Sequence, residues 1–134
     1  MILQTFNCRG EFVGLRAWRV GGDEETPKRL PQAGYSARGL VLANRLASDM
    51  LREGFQGQLV ISEGEPDWMV HALRHRYAVV GITSGSWTQE MADRVAFGSE
   101  VVIRTHNDEA GEKYCSHIRQ TLRDRVQVWR SQAA

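Results

Sequence analysis

Two short acidic stretches hold the residue types from which a reactive site can be built. The first is Ser62-Glu63-Gly64-Glu65-Pro66-Asp67, and the second is Thr105-His106-Asn107-Asp108-Glu109-Ala110-Gly111. Each follows a short apolar run, Leu59-Val60-Ile61 or Val101-Val102-Ile103, and so stands where a buried strand ends. Carboxylates gathered in one place repel one another unless a cation offsets them. Hard oxygen donors with open positions suit Mg²⁺ or Mn²⁺, and the chemistry such ions serve is phosphoryl transfer. Spacing alone leaves a plainer alternative open, in which these are strand-end and helix-cap acids with no metal role.

For the two stretches to meet, the elements around them must form an open α/β sheet. From Gln58 onward, apolar strands alternate with helical patterns. Strands are expected at Leu59–Ile61, Tyr77–Ile82, Glu100–Arg104 and Val126–Trp129. Helices are expected over Asp67–Arg76, from a Thr88 cap through Ala96, and over Ala110–Leu122. Strands apolar on both faces imply a parallel sheet covered on both sides. Ligands of such sheets bind beyond the carboxyl ends of the strands, where strand order reverses. If the first and third of these strands are neighbours, Glu63 and Asp108 converge there, with Asp67 pointing into the same space. The earlier half reads as a strand or hairpin arm over Phe12–Val20, a proline-containing loop over Glu24–Gly34, and a helix over Leu40–Leu51. The expected division is 1–57 for this strand, basic loop and helix, and 58–134 for the α/β unit.

Composition sets bounds on function. The chain has 134 residues, 42% hydrophobic and 25% charged, which suits one globular unit. No run approaches a membrane span, and the cytoplasm is the expected compartment. A formal net charge of +1 excludes a generally basic coat for nucleic acid, so any such surface is a local patch. Lys28 and Lys113 are the only lysines, leaving arginine to supply nearly all the positive charge. Arginine pairs well with phosphate, although high-GC codon usage gives the same bias. Cys8 and Cys115 have no partner at metal-ligand spacing and read as free thiols. Of the four tryptophans, Trp87, between a glycine-serine turn and a helix cap, is the best candidate to stack on a base.

Glu63-Gly64-Glu65-Pro66-Asp67 resembles the first motif of toprim domains, and His106-Asn107-Asp108-Glu109-Ala110-Gly111 is similar to the second, an Asp-x-Asp followed by a small residue and glycine. Within the toprim families the first half resembles DNA primases, in the style of phages and mobile elements. It does so through Gly14-Leu15-Arg16-Ala17-Trp18-Arg19-Val20, Pro27-Lys28-Arg29-Leu30 and Ser36-Ala37-Arg38-Gly39-Leu40. The resemblance implies a toprim-type, Rossmann-like parallel sheet flanked by helices, with a small N-terminal extension of strand, loop and helix. It implies Mg²⁺- or Mn²⁺-dependent nucleotidyl transfer in primer synthesis on single-stranded DNA. Glu63 and Asp108 are the implied catalytic residues. Glu63, Asp67, His106 and Asp108 form the implied metal shell, and Arg19, Lys28 and Arg38 hold nucleotide or template phosphates. Single-stranded DNA and nucleotides are the expected partners, with a helicase or other replication protein beside them.

His106 stands where the motif has its first aspartate, so a second function class accompanies the first: a weakened toprim module that binds nucleic acid or a replication partner without chemistry. A metal-dependent toprim nuclease is the third. The primase-like first half argues against it.

Overall fold

Asn44 decides how the first half of the chain folds. Leu40 to Leu51 reads as one helix, but in the computed structural model Val41–Ala43 is a buried strand, β4, and the helix α1 begins only at Arg45, running to Glu53. The Asn44 Oδ1 caps that helix by accepting from Ala47 N at 3.0 Å. The same oxygen accepts from Val79 N at 3.0 Å, and Nδ2 donates to the Tyr77 carbonyl at 2.8 Å. One side chain therefore ends a strand, starts a helix and ties both to the next strand. A short apolar run cannot be assigned to helix or strand by periodicity, which explains the difference.

The structure describes residues 1–131 except 23, 26, 32–35, 75 and 84; the side chain of Pro31 is not described. Before β4 come β1 (Ile2–Phe6), β2 (Phe12–Trp18) and β3 (Arg29–Pro31). After α1 follow β5 (Gln58–Glu63), α2 (Glu65–Ala72), β6 (Ala78–Ile82), α3 (Gln89–Arg94), β7 (Glu100–Arg104), α4 (Glu109–Leu122) and β8 (Gln127–Arg130). The β1 and β3 strands were not expected. Part of the loop expected over 24–34 is β3, and the remainder includes positions outside the described residues. Within β1, Leu3 and Thr5 are buried while Ile2 and Gln4 are exposed, a period of two over too few residues to stand out.

The eight strands of the described residues form one mixed sheet in the order β3-β2-β1-β4-β6-β5-β7-β8. The strands from β6 to β8 pair in parallel, and all the pairings from β3 to β6 are antiparallel. The β5 and β7 strands are neighbours, in register from Gln58 opposite Glu100 to Ser62 opposite Arg104. The adjacency required to bring the acidic stretches together is present.

Right-handed crossovers distribute the helices. The chain moves one way from β5 to β6 and the other way from β6 to β7 and β8, which places α2 on one face and α3 and α4 on the opposite face. The core follows this division. Ala47, Met50 and Leu51 of α1, Met91 and Ala92 of α3, and Cys115, Ile118 and Leu122 of α4 pack on Leu59, Ile61, Val80, Val101 and Ile103. On the other face Trp68 of α2 packs against Leu3, Trp18 and Leu42. Trp87 belongs to the first core: it is 4% exposed and its indole N–H donates to Thr121 Oγ1 at 2.8 Å. It is packed rather than presented for stacking on a base. No helix among the described residues is long and apolar enough to cross a membrane.

Candidate functional site

Because strand order reverses at β5, the loops leaving β5 and β7 part to opposite faces and leave a crevice between them. Glu63 ends β5, and Gly64 follows with φ of 79°, a left-handed turn that a Cβ would strain. That turn throws the chain directly into α2, whose first turn carries Glu65, Pro66 and Asp67. Across the crevice, Asp108 caps α4 by accepting from Gly111 N at 2.7 Å. A Cβ at position 111 would overlap the His106 carbonyl, so this glycine allows the loop to lie against the helix.

The crevice is joined by His106. Its backbone N–H donates to Glu63 Oε2 at 2.9 Å, and its Nε2 lies 3.0 Å from Asp67 Oδ2. With a carboxylate as partner, Nε2 carries the proton. On the other side of the ring, Nδ1 stands 3.6 Å from Glu63 Oε1. The imidazole thus lies between two carboxylates from different elements. Glu63 and Asp67, expected to share this space, meet at His106, while Asp108, expected to converge with Glu63, has one carboxylate oxygen engaged in capping. Among the described residues, no group of three or more His, Cys, Asp or Glu is arranged to hold a metal ion. The donor chemistry fits a hard divalent cation, with Asp67 bonded to the imidazole and Glu63 to the His106 backbone N–H.

Arg130 of β8 holds the loop from the other side. Its Nη1 donates to Glu112 Oε1 at 2.6 Å, and its Nη2 reaches Thr105 Oγ1 at 3.3 Å and the His106 carbonyl at 3.5 Å. The Glu112 hydrogen bond pushes the Arg130 pKa further up, so its charge is permanent. No local sequence signal identifies this residue, because its partners lie on other elements.

Two arginines of the first half are organised around a residue that sequence reading left without a role. Glu65 is fully buried. Its Oε1 accepts from Arg16 Nη1 at 3.0 Å, and Arg16 also reaches Thr83 Oγ1 at 3.3 Å. Arg29 Nε approaches Glu65 Oε2 at 3.1 Å, an ion pair without the alignment of a hydrogen bond. Lys28 Nζ and Arg29 Cζ stand 5.2 and 5.5 Å from the centre of the Trp18 ring. Arg19 pairs through its backbone N–H with the Lys28 carbonyl, and its Nη1 is buried without a hydrogen-bond partner. Arg38 lines a separate cleft of 500 Å³ with Cys8, Thr88 and Glu90. Of the three expected phosphate contacts, Arg19 and Lys28 are neighbours, and Arg38 lies in a different cleft.

The fold is similar to that of two solved structures. One is described as the DnaG catalytic core; the match has a TM-score of 0.68 and 17% identity, and covers 99% of this chain and 45% of that one. The other is the Aquifex aeolicus primase, comprising its zinc binding and RNA polymerase domains, with a TM-score of 0.62, 18% identity, and coverage of 98% and 33%. This chain spans less than half the length of either. No family model matches the sequence, and no curated protein matches it. The likeness is one of fold: this chain has a primase-like architecture.

Proposed function

We propose that this chain is a primase-like module that handles the phosphates of nucleotides and single-stranded DNA at the β5–β7 crevice, with nucleotidyl transfer in primer synthesis as its reaction. One observation carries the reading. On a primase-like fold, the switch point joins Glu63, Asp67 and His106 within bonding distance. Glu63, Asp67 and Asp108 supply oxygens of the kind Mg²⁺ or Mn²⁺ takes, and His106 a nitrogen that suits Mn²⁺ better than Mg²⁺. Such a cation, when bound, activates a hydroxyl and offsets charge on the leaving phosphate. Glu63 also orients the β7–α4 loop through the His106 N–H, and Arg130 steadies it. Arg19 and Lys28 meet phosphates beside the crevice, and Arg38 meets a longer strand farther along. A helicase or another replication protein is the partner such a module serves.

A second reading, binding without chemistry, is favoured by the 3.0 Å His106–Asp67 contact, which competes with a metal for that Asp67 oxygen. Incorporation of nucleotides on single-stranded template with Mn²⁺, run beside a nuclease assay, separates the readings. Incorporation supports the first, template binding without turnover the second, and cleavage neither. His106→Asp should raise Mg²⁺ affinity in calorimetry about tenfold, the effect of one added charged ligand at 1–2 kcal/mol. An unchanged affinity places position 106 outside any metal shell.

A further inference from the structure

Two arginines share one carboxylate beside the crevice, and a lysine stands with one of them at a tryptophan ring. Arg16 and Arg29 both engage buried Glu65, while Lys28 joins Arg29 over Trp18. Glu65 carries one negative charge against the two arginines it holds, so the pair keeps a net positive charge that favours an added anion. The Arg29 side chain is 52% exposed, with its Nε turned to Glu65. A guanidinium is a planar fork of five N–H donors. Engagement through Nε leaves the Nη edge able to take a second oxyanion, which an ammonium cannot do in the same geometry. The Trp18 ring, 7% exposed, gives both cations a rigid apolar seat.

We propose that Arg29 and Lys28, seated on Trp18, form a site for a phosphate group, and that Glu65 is its positioning residue. Glu65 holds Arg29 from the protein side, so that the outer edge of the guanidinium is set for a phosphate oxygen pair. This deepens the function proposed above, and it rests on that reading only for the origin of the phosphate, a DNA strand or a nucleotide. Glu65 separates positioning from simple charge. Removing its charge makes the patch more positive, which on electrostatics alone strengthens anion binding; if Glu65 positions Arg29, binding weakens instead.

The experiment uses the whole chain in EDTA, with oligo(dT) and ATP as separate probes and binding followed by fluorescence anisotropy and calorimetry. Arg29→Lys keeps the charge and removes the fork, and it should weaken binding of the responding probe about tenfold, the loss of one charge-assisted bond. Glu65→Gln should also weaken it, by a smaller factor. Lys28→Ala should flatten the salt dependence for oligo(dT) by about 0.7 in slope, one phosphate contact on a single strand. A response to oligo(dT) alone assigns the phosphate to a strand backbone, and a response to ATP assigns it to a nucleotide. Unchanged binding in Arg29→Lys, tighter binding in Glu65→Gln, or no binding of either probe by the parent overturns the proposal. If Glu65→Gln does not fold by circular dichroism, Arg29→Lys, altered at a half-exposed side chain, decides alone. With metal absent throughout, failure here leaves the metal reading standing, and failed incorporation leaves this site standing.

Discussion

The two charged walls that meet at Gly64, acidic on the Glu63 side and basic on the Glu65 side, are built in different ways. The acidic wall is placed by the backbone: β5 and β7 lie in register, and a left-handed glycine and a helix cap aim their loops. The basic wall is placed by side chains, since Arg16 and Arg29 reach from the antiparallel strands to Glu65 on α2. Main-chain geometry tolerates substitution of the side chains it carries. A wall tied by buried charges does not, because breaking one pair strands the partner in a poor solvent for charge.

The largest expected effect tests that difference directly. Arg16→Leu leaves Glu65 buried with only the half-exposed Arg29 beside it, and should cost about 3 kcal/mol in urea unfolding. His106→Ala removes an exposed ring from the acidic wall and should cost under about 0.5 kcal/mol, as surface changes do. Comparable losses in the two variants would erase the contrast.

Next in size is Gly111→Ala. The added methyl meets the His106 carbonyl, and overpacking of this kind costs about 1–3 kcal/mol. The loop should yield before the helix does, so NMR shifts should concentrate at 105–108. Shifts spread evenly along α4 would show that the loop is not the compliant part.

Much of the acidic wall was legible in the sequence. The apolar strands and the Thr88 cap follow from local patterns, because each loop begins where a buried strand stops. The β5–β7 adjacency was expected as the condition for Glu63 to meet Asp108. The residues bonded there are Glu63, Asp67 and His106, the last suggested only by the family resemblance. The basic wall was not. Arg16 and Glu65 are separated by 49 positions, and no propensity or period connects them. Glu65 reads as one more helix-start acid, yet it is the most buried charge in the described residues. Likewise β4 was hidden in an apolar run that joins a helix, and only the bonds of Asn44 to Tyr77 and Val79 resolve it.

The smallest expected effect concerns His71 on α2. Burial first, then Arg104 and Arg74, hold its pKa below the usual 6.5. The folded state therefore resists protonating it, while the unfolded chain does not. Its contribution to stability is present above pH 6.5 and is lost as the pH falls through the depressed folded value. His71→Gln should flatten the dependence of the unfolding midpoint on pH below 6.5. A profile that stays as steep assigns the acid sensitivity elsewhere.

The seam at β4 also fixes an order of assembly. Among the described residues, the antiparallel strands pair with the parallel ones through Leu42 opposite Gly81 and Ala43 opposite Val80. Asn44 finds its partner at Val79, 35 positions later. On a ribosome, β4 waits for β6 before its outer edge is paired. Until then the strands made first present an open hydrogen-bonding border to any other chain nearby. The interval between making β4 and making β6 is when this fold is most exposed to pairing with the wrong chain.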